Sequence, residues 1–362
     1  MEIKNINGDV IFQNYASTMK DTVDAAVNRA ALGDFTLNFA DLSNADLTGA
    51  KLCGADLSNA DLTGAKLCRA DLYRVNFANV NLTGADLTDA ILHDTRLTGA
   101  NLREANLTGA DLSGAFLQRV NFDSADLSKT ILYGADFTKA DLTGADLTGA
   151  SILREANLTS AILTKADLNG TDLRRATLCG ADLAYADLRG ADLTSTDLRE
   201  ADLTGAKLSH ANLKNADLTG ANLTLVNLTG ADLTHANLKN ADLTGADLTN
   251  AILTKAKLEK ANCFETVFDN AKFENADLTN AKDTIEKGSE KHYIPNVPYK
   301  LNGKMQDLGC RWDKETKQWF HTDSKIAQQA ARLIEQSPEH GKSGGGAYYA
   351  ANQVVQSVTH EM

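Results

Sequence analysis

An Asp or Asn stands directly before an apolar residue again and again along this chain, at five-residue intervals. Asp41, Asp46, Asp56 and Asp61 open the series, and Asp242, Asp247 and Asp277 are among its last members. Lys51, Lys66, Arg96, Lys207 and Lys257 interrupt it. A spaced row of carboxylates can present charge to a partner, but catalysis needs a nucleophile, a base and an orienting group held together. The sequence assembles no such set. Its seven histidines are scattered and form no HxH or HExxH motif and no Cys-His metal spacing. Cys53, Cys68, Cys179, Cys263 and Cys310 lack paired or metal-type spacing and read as reduced thiols. Gly341-Lys342-Ser343 resembles the end of a phosphate-binding loop, yet Gln336 stands where the upstream Gly belongs. No enzyme activity, metal or cofactor is expected.

The elements that carry the carboxylates follow from the period. An apolar residue recurs at Leu37, Leu42, Leu47 and every fifth position to Ile152, with a small residue, usually Ala, two places before it. One six-residue unit intervenes over Ala150–Glu155, and from Leu158 the step of five holds to Leu278. That gives 24 centres before the slip and 25 after it, 49 in all. Five matches neither the 3.6-residue helix nor the two-residue strand. Recurrent Gly would weaken a helix by roughly 1 kcal/mol each. A chain that turns a corner once per unit fits: Leu and the small residue point inward, the other three outward. Phe77, Phe122, Phe137, Phe268 and Phe273 take the Leu position as core filling, and Cys263 does so too and is expected to be buried. Cys53, Cys68 and Cys179 follow a central Leu and should face solvent.

Ala40-Asp41-Leu42-Ser43-Asn44 and its successors resemble the pentapeptide-repeat family. The resemblance implies an all-β solenoid, a right-handed quadrilateral β-helix with one unit per side. Residues twenty apart then stack, and about twelve coils at ~4.8 Å give a rod ~58 Å long. In that arrangement Asp41 lies over Asp61, Asp126 over Asp146, Asp172 over Asp192 and Asp182 over Asp202, while Asn81, Asn101 and Asn121 link Asp61 to Asp141. These eight aspartates form the candidate acidic partner-binding face. One reading is imitation of the spaced phosphates of duplex DNA. The other is solvation plus side-chain-to-backbone hydrogen bonds at each corner. Thr ladders beside them read as β-friendly residues bonding along the stack, with ice binding as the remote alternative.

The ends differ from the middle. Residues 1–34 are expected to form an N-terminal cap, with a strand at Val10-Ile11-Phe12 and a helix over Thr18–Leu32 presenting Met19, Val23, Val27 and Ala30 on one face. Residues 35–281 are the repeat and 282–291 a charged linker. Residues 292–337 make a small α+β module with both tryptophans, ending in a helix over Ser324–Glu335, and 338–362 a flexible tail. The module, through Asn296-Val297-Pro298-Tyr299, Leu308-Gly309-Cys310-Arg311-Trp312-Asp313 and Lys317-Gln318-Trp319-Phe320, resembles one found in phage and plasmid DNA-processing proteins. Lys300, Arg311, Trp312, Lys317 and Trp319 are its candidate surface: aromatics interleaved with cations can grip single-stranded nucleic acid, and equally a domain this small needs its Trp side chains for packing.

The net charge is −12. Over residues 37–281 there are 33 Asp and Glu against 22 Lys and Arg. Such a rod repels phosphate, so direct duplex binding is not expected and a basic protein partner is. No run of apolar residues reaches membrane-spanning length and no signal-peptide pattern opens the chain, so a bacterial cytoplasm, or that of a phage-infected host, is expected. Some pentapeptide-repeat relatives inhibit or protect DNA gyrase, often as homodimers joined through a C-terminal helix, whereas a Trp module takes that place here. The resemblance thus implies a protein-binding inhibitor of a gyrase-like topoisomerase or a defence nuclease. A rigid scaffold presenting the module is the alternative.

Overall fold

Every described unit of the repeat closes a corner, as the backbone bonds show in a computed structural model. In Leu47-Thr48-Gly49-Ala50 the amide of Ala50 donates to the carbonyl of Leu47 at 2.9 Å, and Gly49 has φ +64°. A positive φ confined to the third residue of such a turn defines type II. Most residues avoid that conformation, which is why Gly and Asn crowd the position. After four corners the chain returns above its start. The amide of Asp61 donates to Ala40 at 2.9 Å, and that of Leu42 to the carbonyl of Asp61 at 2.8 Å. Parallel bridges between residues twenty apart then run from Asp41–Asp61 to Lys257–Asp277. Four columns result. Face one runs through Asp41, face two through Asp46, face three through Lys51 and face four through Asp56.

The structure describes residues 2–8, 10–13, 19–23, 37–149, 153–281, 292–294, 311–313 and 318–321. Inside the rod the central Leu residues and the Ala layer are buried from Leu37 to Ala261, and Phe77, Phe122 and Phe137 are fully enclosed. Thr95, Thr130 and Thr171 replace the small residue, and each buried hydroxyl donates to the carbonyl three residues back. In the last coil Phe268 and Leu278 are half-buried. Cys263, expected inside, is half-buried as well, with no further coil above it among the described residues. Cys53 is exposed, and Cys68 and Cys179 are half-buried. Burial, then the neighbouring Asp86, pushes the Cys68 thiol up to about 11, so it is no activated nucleophile.

The extra residue falls one unit earlier than the sequence suggested. Leu153 is a buried centre, and Arg154-Glu155 form its turn, with φ +62° at Glu155, while Ile152 lies outside the described residues. Six residues separate Leu147 from Leu153, giving 23 centres before the slip and 26 from Leu153 on. The ladder continues across it with a step of twenty-one at Asp136–Asn157, Asp141–Ile162 and Asp146–Asp167, then returns to twenty at Asn157–Thr177. Among the described residues one rung is stretched, Gly134 N to Arg154 O, at 3.4 Å. One residue is thus absorbed without ending the ladder, as in a β-bulge.

At the N-terminus β1 (Glu2–Asn5) pairs antiparallel with β2 (Val10–Gln13) and with β3 (Ala40–Asp41), and the amide of Ile6 donates to Phe39 O at 2.8 Å. Residues 19–23 are helical. Val23 and Ile3 are fully buried, and Met19 packs against the same core. Val27, Ala30 and the rest of the expected helix lie outside the described residues. Deleting residues 1–33 is expected to bare the first coil's backbone edge and apolar interior and to cause aggregation. Light scattering tests this, and a monodisperse truncated rod would contradict it. Near the other end β4 (His292–Ile294), β6 (Gln318–His321) and β5 (Arg311–Asp313) form an antiparallel sheet in that order.

Candidate functional site

The eight candidate aspartates do not share one face. Each five-residue step turns the chain through a quarter of a coil, so ten residues carry it to the opposite side. Asp41, Asp61, Asp182 and Asp202 lie on face one, Asp126 and Asp146 on face two, and Asp172 and Asp192 on face three. The stacked pairs are adjacent as read from the sequence, and the Asn81–Asn101–Asn121 ladder joins Asp61 to Asp141. The set, however, is distributed around the rod.

All eight also have a structural duty. The Oδ1 of each accepts the backbone amide two residues on: Ser43 to Asp41 at 3.1 Å, Thr63 to Asp61 at 2.9 Å, Ser128 to Asp126 at 2.9 Å and Thr148 to Asp146 at 2.8 Å. Arg174 to Asp172, Ala184 to Asp182, Thr194 to Asp192 and Thr204 to Asp202 repeat it. The bond satisfies a corner N–H that would otherwise need water. Asn can supply the same oxygen, as Asn81 does to Thr83 at 3.3 Å. Its amide then donates to Thr63 Oγ1 below at 2.8 Å, where a second carboxylate would repel. Thr hydroxyls are similarly engaged, Thr204 with Asp202 at 2.6 Å, so they are not a free array for ice.

The charge is unevenly distributed. Face-one units, corners included, hold nine carboxylates and two cations; those of face two hold nine and five. Face three has eight of each and face four seven of each. The whole negative excess of the rod therefore lies on two adjacent faces. On face three, Arg174 grips Asp172 through Nε at 2.7 Å and through Nη2, and reaches Asp192 at 3.7 Å. Among the described residues no cation comes within salt-bridge distance of Asp41, Asp61, Asp182, Asp202 or Asp242 on face one.

The Arg174 hydrogen bond holds the Asp172 carboxyl below the usual carboxylate range, against burial. Arg189 does the same to Asp187, and Arg199 to Asp197. For Asp126, burial is the largest influence and raises the value, but the bonds from Ser128 and Thr108 outweigh it. A depressed folded-state value gives stability that is fully present above the unfolded value, roughly pH 3.9, and is lost as pH falls through the folded value. The melting temperature is expected to drop below about pH 4. Asp172→Asn, Asp187→Asn and Asp197→Asn together should flatten that drop. An acid limb unchanged in the triple variant would contradict the assignment.

Of the C-terminal candidates, Arg311 and Trp312 lie on β5 and Trp319 on β6, with Trp312 opposite Trp319 in register. Lys300 and Lys317 lie outside the described residues, as do Cys310, the Ser324–Glu335 helix, the tail and Gly341-Lys342-Ser343. Among the described residues no group of His, Cys, Asp and Glu could hold a metal ion, and no helix is long and apolar enough to cross a membrane.

One feature of the surface escaped the sequence reading. Tyr185 and Leu225 occupy corner positions with φ +59° and +56° and are 59 % and 63 % exposed. The signal was available: a Tyr and a Leu stand where nearly all other units place Gly or a polar or charged residue.

Corners every five residues, coils every twenty and a Leu–Ala interior define a four-sided parallel β-solenoid. The sequence profile described as pentapeptide repeats matches in overlapping stretches from 36–74 to 246–282, roughly two thirds of the chain. The chain belongs to the pentapeptide-repeat family, whose members fold as right-handed quadrilateral β-helices and are in general non-enzymatic structural or binding proteins. A search of curated proteins finds no match. Among solved structures it is similar to HetL of the cyanobacterium Nostoc sp. PCC 7120, a pentapeptide-repeat protein involved in heterocyst differentiation regulation. The two are 37 % identical, over 56 % of this chain and 87 % of that one, with a TM-score of 0.38. A second pentapeptide-repeat protein of Nostoc, alr5209, is 43 % identical over 24 % of this chain and 69 % of its own, with a TM-score of 0.23. QnrB1, a plasmid-mediated fluoroquinolone resistance protein, is 20 % identical over 56 % and 81 %, with a TM-score of 0.28.

Proposed function

We propose that this chain is a non-enzymatic binding protein whose two acidic faces occupy the DNA site of a basic, DNA-handling enzyme, such as a gyrase-like topoisomerase or a defence nuclease. The observation that carries the reading is the confinement of the negative excess to faces one and two. Carboxylates recur there along two adjacent columns at a rung spacing of ~4.8 Å. Duplex DNA carries one phosphate per ~3.4 Å of axis on each of two strands. A groove lined with Arg and Lys to hold DNA can accept such a surface. The partner meets the rod in the bacterial cytoplasm, and a homodimer would present the acidic faces twice.

Immobilised chain incubated with bacterial lysate and eluted with duplex DNA tests this. A DNA-binding enzyme released by DNA, and retained progressively less as salt rises, is the expected result. Release of nothing by DNA would contradict it. The second reading, a rigid scaffold, is favoured by the corner hydrogen bonds: every candidate aspartate has a reason to be there without a partner.

A further inference from the structure

We propose that Tyr185 and Leu225 form a contact edge for a basic amphipathic helix of the partner protein. The inference rests on the acidic-face reading and names where on those faces the partner is gripped. The two are the most exposed large apolar side chains among the described residues. They stand on one corner column, in coils two apart, at the edge where face one turns into face two. Both occupy the left-handed backbone region, which a bulky side chain takes only at a cost. Among the described residues, Phe39, in the first corner of the rod, is the only other large apolar residue with that backbone.

The next coil makes room for each. A Cβ built on Gly205 would come 2.7 Å from the Tyr185 ring, and one on Gly245 would come 2.9 Å from Leu225. The tyrosine ring and the leucine therefore lie along the rod, each over a glycine, and form a narrow apolar strip. Asp182, Asp202 and Asp242, none with a cation in salt-bridge range, line its face-one side. On the face-two side stand Asp247 and Asp187, with Asp187 held by Arg189 at 2.7 Å and approached by Lys207 of the next coil at 4.0 Å, so the free carboxylates lie on the face-one side.

The chemistry that fits is apolar in the middle and cationic at the flank. Two coils span about 9.6 Å. Residues seven apart on a helix lie about 10.5 Å apart along its axis. An amphipathic helix with apolar residues at i and i+7 and Lys or Arg beside them matches both the spacing and the charge.

The test uses the full chain and two synthetic peptides of equal charge, one a Leu/Lys amphipathic helix and the other oligolysine. The parent is expected to bind the amphipathic peptide at least tenfold more tightly. Tyr185→Asn with Leu225→Asn should abolish that preference and leave oligolysine binding unchanged. Its melting temperature should not fall, because Asn accepts this backbone at Asn44, Asn215 and Asn250. Equal binding of both peptides by the parent, or a preference retained in the double variant, overturns the proposal. So does a concentration-dependent dimer of the parent that the double variant loses, since the strip would then be a contact between copies. Asp182→Asn, Asp202→Asn and Asp242→Asn together should weaken both peptides. If they weaken neither while the preference persists, the acidic-face reading fails and the strip stands alone.

Discussion

Leu188→Asp is expected to break the rod in two. Leu188 is fully buried, with Leu168 and Leu208 stacked in the coils on either side and likewise buried. The substitution removes a side chain whose burial stabilises by ~1.5–3 kcal/mol. It leaves a carboxylate among leucines, with every nearby backbone donor already committed to the ladder. A loss on the order of 4 kcal/mol or more follows. In a solenoid each coil touches only its neighbours, so the damage is local in origin. Coils on either side of residue 188 should melt separately, and proteolysis should cut between them. Leu188→Met, which keeps volume and apolarity, should cost less than about 1.5 kcal/mol. A single, unshifted melting transition in the Asp variant would remove the inward assignment.

Asp182→Asn, Asp202→Asn and Asp242→Asn on face one should weaken partner binding roughly tenfold or more, ~1.4 kcal/mol. Asp172→Asn, Asp192→Asn and Asp232→Asn on face three, an equal change in net charge, should leave it within about twofold. The fold tolerates both sets, because Asn already supplies the corner oxygen at Asn212 and Asn237. The contrast arises because Arg174 stands between Asp172 and Asp192 and Lys214 holds Asp232 at 3.0 Å, whereas among the described residues no cation comes within salt-bridge distance of Asp182, Asp202 or Asp242. It also corrects a grouping suggested by sequence alone. Asp182, Asp192 and Asp202 look like one series along the chain, but Asp192 points away from the other two. Comparable losses from the two triple variants would mean that net charge, and not the placed charge, drives association.

The core, the corners and the twenty-residue stacking could all be read from the sequence, because a strict period leaves each residue one environment. Two places were not legible for want of that constraint. At Ile152-Leu153 two apolar neighbours compete for one inward position; the turn at Arg154-Glu155 selects Leu153. The strand Glu2–Asn5 has one apolar residue, Ile3, and its partner Ala40–Asp41 lies beyond the range of any local pattern. The charge asymmetry was present in the sequence but hidden by its order, since adjacent units alternate faces and the sum over the chain averages them. Tyr185 and Leu225 broke the corner pattern openly; only the glycines above them give that break a shape.

In the proposed function the acidic faces and duplex DNA take the same site on the partner. The direct measurement is displacement of a short fluorescent duplex from the captured partner by the full chain, read by anisotropy and repeated at two salt concentrations. Complete displacement, mutually exclusive binding with no ternary complex, and a displacing concentration that rises steeply with salt are expected. A stable complex containing partner, duplex and chain together would contradict it.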